Sequence, residues 1–313
     1  MFYFRKYKKI IMLFILFQIV LAVKLYANEY FLATYNIRCL ETSDKINGND
    51  WSNRVENICN LVLFNDFDVF GIQEANDSQL QDIVKYVGKE YSFTGVGCDD
   101  GLKKGAINAI LFKKNKFEVI ESNTFWLSDT PEKISKGWDG RFYRTCSWVK
   151  LLDKTSKDTI YFFNTHLDAG GKIAREKSCE LILEQIKKIS NGENAILVGD
   201  FNSLETDNNI KTLISRKYLF DAYELAKYRW MPNGTYNAFN PLRISSKRLD
   251  HIFVTKNINV SRYGIINAFY YITDGKVIKN YKRFPYGPKN IQLHIPSDHY
   301  PLCCKISIDS VKY

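Results

Sequence analysis

The stretch Leu197-Val198-Gly199-Asp200-Phe201-Asn202-Ser203 closes an apolar run with a carboxylate and an amide two residues apart, so that both project toward one site. The same design recurs in order along the chain at Gly71-Ile72-Gln73-Glu74, Asn164-Thr165-His166-Leu167-Asp168, Arg248-Leu249-Asp250-His251 and Ser297-Asp298-His299-Tyr300-Pro301-Leu302. Each is a hydrophobic run ending in an acid, an amide or an imidazole. Such a set describes an enzyme built around a divalent metal and two histidines.

Hydrolysis of a phosphate ester needs a cation against the non-bridging oxygens, a group that orients or deprotonates water, and help for the leaving oxygen. Glu74 closes the apolar run Val69-Phe70-Gly71-Ile72 and suits the role of principal ligand, because carboxylate oxygen matches magnesium or manganese. A surface or helix-capping acid is the competing reading, and a buried strand end argues against it. Of the four histidines, His166 and His299 follow the strand-end pattern, each with a polar neighbour. His299 is expected to stabilise charge or help activate water, with Asp250 accepting its other ring proton. His166 is expected to bind phosphate or act as general acid. His251 alternates away from Asp250 if the segment is a strand, and His294 precedes Pro296 in a loop, so neither is expected to be catalytic.

These residues require elements to hold them. Alternation predicts a first strand from Glu29 ending at Asn36, and apolar spacing predicts helices over 51–64, 77–87 and 171–190. Further strands are predicted at 68–73, near 91–96 and 106–112, and at 117–126, 144–152, 159–165, 195–198, 249–254, 259–267 and 302–306. Strands outnumber helices and helices recur between them, which favours a layered α/β sandwich over a doubly wound sheet. No linker, repeat or low-complexity tract divides the chain, so one domain over 28–313 is expected. Before it, Arg5, Lys6, Lys8 and Lys9 precede apolar residues 10–17 and 19–23, and Leu25-Tyr26-Ala27 offers a cleavage site. This reads as a signal peptide over 1–27, the apolar run falling short of the roughly 20 residues of a membrane span. The protein is therefore expected in the periplasm or secreted, with no stable span after cleavage and as a monomer.

That segment holds five of the 44 basic residues and none of the 34 acidic ones, leaving 39 against 34, a balance of +5. An excess of this size suits a polyanionic substrate without identifying nucleic acid. Hydrophobic residues at 45% exclude a disordered or fibrous chain. Seven cysteines without a Cys-x-x-Cys pair indicate neither a zinc site nor a small disulfide framework, and Cys39, Cys146 and Cys303 sit in strand-like apolar surroundings.

Asn36, Gln73-Glu74, Asn164-Thr165-His166, Gly199-Asp200-Phe201-Asn202-Ser203, Leu249-Asp250 and Ser297-Asp298-His299 together resemble the ordered motif set of the endonuclease/exonuclease/phosphatase superfamily, the deoxyribonuclease I-like fold. The likeness spans residues 30 to 308. It implies a four-layer αββα sandwich with two central mixed, largely antiparallel sheets and a site at their edge. It further implies that Asn36 touches phosphate and the metal shell, that Glu74 binds magnesium and that Asp298 sits near the metal. Asp200 would orient or deprotonate water, Asn202 would position the phosphate, and Asp250 would pair with His299. The segments from Asn108, Thr124 and Ser135, with Arg144 and Trp148, resemble exported bacterial members distantly similar to nocturnin and the deadenylases. Asn108 and Arg144 are then expected to contact phosphate or leaving group. Trp138, in a glycine-bounded loop, is expected to line the substrate cleft.

The leading expectation is an exported, magnesium-dependent phosphoesterase, with manganese as substitute, in which water attacks phosphorus directly. A phosphodiester is the first choice of substrate, nucleic acid or nucleotide included. Lys113, Lys114 and Lys116 form the nearest basic cluster and read equally as a solvated hairpin end. Alternatives are a phospholipid headgroup hydrolase, for which Phe269-Tyr270-Tyr271-Ile272 is the local candidate for bilayer insertion, a phosphomonoester or inositol phosphate hydrolase, and, last, a non-catalytic binding module.

Overall fold

Side chains alternate across a strand, and here the alternation separates one core from another. The computed structural model describes residues 28–273, 276–279 and 290–308, so the expected signal peptide lies outside the described residues. The elements run β1 (Asn28–Asn36), α1 (Thr42–Ile46), α2 (Trp51–Asn65), β2 (Val69–Gln73), α3 (Asp77–Val87), β3 (Tyr91–Thr94), β4 (Ile110–Lys113), β5 (Phe117–Trp126), β6 (Thr145–Asp153) and β7 (Thr159–His166). They continue α4 (Lys172–Ser190), β8 (Ala195–Asp200), α5 (Asn208–Ser215), β9 (Leu219–Asp221), α6 (Ala222–Leu225) and β10 (Tyr228–Trp230). The last are β11 (Asp250–Thr255), β12 (Ile258–Ile265), β13 (Tyr270–Thr273), β14 (Lys276–Val277), β15 (Gln292–His294) and β16 (Leu302–Ile308).

Seven strands form one sheet in the order β10-β12-β16-β1-β2-β4-β3, and six form another in the order β5-β6-β7-β8-β11-β9. Both are mixed, with β1 parallel to β2 and β7 parallel to β8 among mostly antiparallel pairs. Tyr30, Leu32 and Val69 from the first sheet meet Phe162, Val198 and Ile252 from the second in a core between the sheets. The opposite parity, Ala33, Tyr35, Phe70 and Ile72, packs under α2 and α3 through Ile58, Val62, Leu80 and Ile83. Phe163, Leu197 and Phe253 do the same under α4 and α5 through Ile182, Ile186 and Leu213. The result is helix, sheet, sheet, helix, the expected α/β sandwich. Each buried Val, Leu, Ile or Phe among them contributes about 1.5–3 kcal/mol by leaving water.

Helix ends follow local chemistry. The Asn76 side chain accepts from Gln79 N while the Gln79 side chain accepts from Asn76 N, a reciprocal cap that starts α3. The expected strand near 106–112 begins only at Ile110, because Ile107 makes isolated bridges to Ala75 and Gly97. Helix α5 and the short strands β9, β10 and β13–β15 carry too few residues to show a period in the sequence. All seven cysteines are free, and Cys39 lies in the loop after β1, half-buried beside Glu74, rather than in a strand.

Candidate active site

The inter-sheet parity that buries Leu32, Val69, Phe162, Val198 and Ile252 runs on to Asn36, Gln73, His166, Asp200 and Asp250 at the same sheet edge. Register completes the juxtaposition: His166 pairs with Asp200 across β7 and β8, and Asp200 with Asp250 across β8 and β11. Period-two geometry thus converts apolar strands into a polar cluster where they end. Beneath it Gln73 Nε2 donates to Asn164 Oδ1 at 2.7 Å and Thr34 Oγ1 at 2.9 Å, while Asn164 Nδ2 donates to the Ile72 and Ala109 carbonyls. Gly71 makes room for this layer, since a Cβ there would lie 2.6 Å from Asn164 Cγ. Three site residues, Arg38, Glu74 and Asn202, hold left-handed backbones with φ of 63°, 67° and 47°. Such outliers cluster where a side chain must be aimed.

His299 and His166 are in opposite electrostatic settings. Burial disfavours the His299 cation, but Asp250 and Asp200 raise it well above the ordinary histidine range, and its Nδ1 lies 2.8 Å from Asp250 Oδ2. Burial lowers His166, and the neighbouring Arg144 lowers it further. Arg144 Nη1, 2.9 Å from His166 Nδ1, can only donate, so Nδ1 accepts and the ring proton sits on Nε2. That Nε2 faces Asp200 Oδ2 at 3.5 Å and Asn202 Nδ2 at 3.0 Å, the amide also donating to the Leu167 carbonyl. With the proton on Nε2, Asp200 Oδ2 is the acceptor before it, and His166, Asn202 and Asp200 all line one cavity. Asp200 is pushed up to about 7 by burial, with Asp250 adding to it and His299 opposing. A carboxyl so placed can take a proton from water near neutral pH.

The Asn36 amide nitrogen donates to Glu74 Oε1 at 3.0 Å and Asp200 Oδ2 at 2.9 Å, and its oxygen accepts from Arg38 N. The reverse amide orientation would set an oxygen against two carboxylates. Asn36 is fully buried, and its amide nitrogen orients Glu74. Burial works against the Glu74 carboxylate, yet the Asn36 amide, Cys39 N and the His299 cation hold it below the usual carboxylate range. Asp298 is raised, by burial first and with the Glu74 charge pushing the same way. Two carboxylates that repel each other across a polar cavity fit a hard divalent cation. Asp200, Asp250 and His299 also bring ligand atoms within 4.8 Å of one another, but His299 Nδ1 and Asp250 Oδ2 are already joined to each other. Glu74 and Asp298 are the better holders.

A cavity of about 800 Å³ opens over the cluster, within the usual range for small ligands. Glu74, Arg144, His166, Asp200, Asn202, Asp298 and His299 line it. Asp250 lies behind His299. Two expected contacts are not on this surface. Asn108 is buried with its amide nitrogen on the Thr145 carbonyl, and Trp138 turns its indole N–H onto Asp129 within its own loop. Near Trp138 in sequence, Phe142 and Tyr143 line the cavity in its stead. Asp168 accepts from Arg141 N and Phe142 N and again from Gly170 N and Gly171 N, pinning this aromatic loop to the end of β7. Sequence reasoning also passed over Arg38, Asp99, Tyr236 and Lys247, which come from loops without periodicity; only the polar strand-end pattern beside Arg38 could have pointed to it. His251 packs edge-on against Phe201, away from the site as its parity requires.

The sequence profile of the Endonuclease/Exonuclease/phosphatase family matches residues 33–299. Among solved structures, a family protein of Bacteroides thetaiotaomicron is 37% identical, covers 91% of this chain and 99% of its own, and superposes with a TM-score of 0.84. A mannosyl-6-phosphatase of the same organism is 36% identical over 89% of this chain and all of its own, with a TM-score of 0.83. The human nocturnin catalytic domain shares the fold at 19% identity, a TM-score of 0.64, and coverage of 90% and 93% of the two chains. The shared strand-end motifs, the two stacked sheets and these likenesses agree, and the chain belongs to the endonuclease/exonuclease/phosphatase family of phosphoric ester hydrolases.

Proposed function

We propose that the protein is a magnesium-dependent phosphomonoesterase that releases phosphate from a sugar phosphate. The observation that carries the reaction class is the convergence of Glu74, Asp200 and Asp298 with Arg144, His166, Asn202 and the cationic His299 on one cavity. A phosphoryl group placed there would meet both the Arg144 guanidinium and the His299 cation. Asp200 would take the proton from water as it attacks phosphorus opposite the leaving alkoxide, and His299, charged and held by Asp250, would stabilise the equatorial oxygens. Bound between Glu74 and Asp298, magnesium would neutralise the phosphoryl group and polarise it.

The choice of a sugar phosphate over a phosphodiester strand rests on the cavity wall. Glu41, Glu74, Asp99, Asp200, Asp207 and Asp298 face it against Arg38, Arg144, Lys247 and the cationic His299, an acidic excess that disfavours a long polyanion. Lys113 and Lys116, at the β4–β5 turn, are paired with Asp66 and Asp68. Carboxylates beside aromatic Phe142 and Tyr143 suit hydroxyl groups and the apolar face of a sugar ring. The likeness to the mannosyl-6-phosphatase supports the same choice. The headgroup-hydrolase alternative is weakened because Tyr270 and Ile272 are buried, leaving no contiguous aromatic surface along 269–272.

Residues 28–313 with magnesium are expected to release inorganic phosphate from mannose 6-phosphate or glucose 6-phosphate, and chelator is expected to abolish it. Cleavage of bis-p-nitrophenyl phosphate or single-stranded RNA without hexose phosphate turnover would sink the monoester reading. Export rests on the basic and then apolar order of residues 5–23; N-terminal sequencing of the processed protein should begin at Asn28.

A further inference from the structure

Arg38, Tyr236 and Asp298 line the cavity over the carboxylates, and they also line a second cavity of about 400 Å³. Asn47, Asn49, Phe239 and His294 also line this smaller chamber, beside Asp44, and the phosphate chemistry uses none of them. The chamber is assembled from the end of α1, the segment 236–239 and strand β15.

Its chemistry excludes a second phosphate. Arg38 already faces Asp44 at 3.2 Å and Asp298 at 3.8 Å, so an entering anion would meet more negative than positive charge. What remains is neutral hydrogen-bonding capacity and ring faces. The Asn47 amide offers donors and an acceptor. His294 Nδ1 lies 2.9 Å from Asn49 Oδ1, while Nε2 has only a long contact of 3.4 Å to the Gln292 amide oxygen. A hydroxyl, donor and acceptor at once, suits Nε2 in either tautomer.

The wall between the chambers is built under strain. Ala238 and Phe239 are consecutive non-glycine residues with φ of 55° and 57°, in the left-handed region that L side chains disfavour. Asn237 N and Ala238 N both donate to the Asp298 carbonyl, at 2.8 and 3.0 Å, and Phe239 N donates to Asn237 Oδ1. This arrangement sets the Tyr236 ring edge-on to His299, with centroids 5.2 Å apart, and turns Phe239 toward the second chamber. Tyr236, shared by both linings, and Phe239 in the smaller one therefore give aromatic surface where the two cavities adjoin.

We propose that the smaller chamber is a subsite for an uncharged, hydroxyl-bearing ring joined to the phosphorylated one, so that the preferred substrate is a phosphorylated oligosaccharide. Asn47 and His294 bond its hydroxyls while Tyr236 and Phe239 pack on its carbon face. The inference rests on the sugar-phosphate reading above and adds to it the size of the leaving group.

The test compares kcat/KM for mannose 6-phosphate with that for mannobioses carrying one 6-phosphate, on either ring. One disaccharide is expected to be favoured by about tenfold or more, mainly through KM, as hydroxyl-recognising sites discriminate strongly. Asn47→Ala and His294→Gln are each expected to bring that ratio toward one; the exposed Asn47 keeps the test valid if the His294 variant folds poorly. Equal kcat/KM on monosaccharide and both disaccharides, or a ratio that neither variant changes, overturns the subsite. Failure to hydrolyse any sugar phosphate while bis-p-nitrophenyl phosphate is cleaved overturns the sugar-phosphate reading itself, and the subsite with it.

Discussion

At the scale of single residues, the site separates like groups by environment. His299 is held cationic by Asp250 and Asp200, His166 neutral by burial and Arg144, and Asp200 is pushed up to about 7. His299→Ala and Glu74→Gln should each lower kcat/KM by about a hundredfold or more, since each removes charge needed in the transition state; unchanged turnover in both would refute metal-dependent catalysis here. Asp200 also makes a prediction about stability. Its pKa in the folded protein exceeds the unfolded value, so between about pH 4 and 7 the folded state binds the extra proton and stability falls as pH rises. Asp200→Asn removes this contribution. Urea titrations of the metal-free proteins should show the variant gaining on the parent from pH 5 to pH 8, by a few kcal/mol at most. A constant difference would mean that Asp200 titrates normally.

At the scale of elements, strand ends and the loops after them divide the labour. Gly199 joins β8 to its acid with φ of 152°, and a Cβ there would lie 2.0 Å from the Thr165 carbonyl. Gly199→Ala should therefore push β7 from β8, costing on the order of 3 kcal/mol by denaturant unfolding and misplacing Asp200 against His166. Asp168 acts on a loop instead. Four backbone N–H groups converge on its carboxylate, two of them from the segment that carries Phe142 and Tyr143. Asp168→Ala should raise KM roughly tenfold with a smaller loss in kcat, because it frees the aromatic wall and leaves the histidines in place. An equal loss in both constants would place Asp168 in the chemistry.

At the scale of the whole molecule, two sheets bring into one cavity residues that are far apart in the chain. Arg54 shows how much depends on packing: it is 1% exposed, has no carboxylate within ion-pair distance among the described residues, and donates to the carbonyls of Asn49, Ile37, Arg38 and Pro296. It thus fastens the end of β1 to the loop that carries Asp298 and His299. Magnesium bound at the junction of the two sheets should raise the melting temperature by a few degrees at concentrations far above its Kd, reversibly with chelator, and Glu74→Gln should remove most of that shift. The strands, the main helices and the row Glu74, His166, Asp200, Asp250 and His299 were legible in the sequence, because apolar alternation is a local property of the backbone and a polar residue at its end breaks the pattern visibly. Asn108 and Trp138 were legible as motif members but not as buried and self-bonded groups. Arg38, Phe142, Tyr143, Tyr236 and Lys247 carry no periodic signal, and they reach the cavity only because two sheets stack and their loops converge at one edge. By itself the sequence determined the layered fold and the class of chemistry. Tertiary structure alone decided which groups are charged, which of them share one cavity and what surrounds them, since burial and long-range proximity set all three.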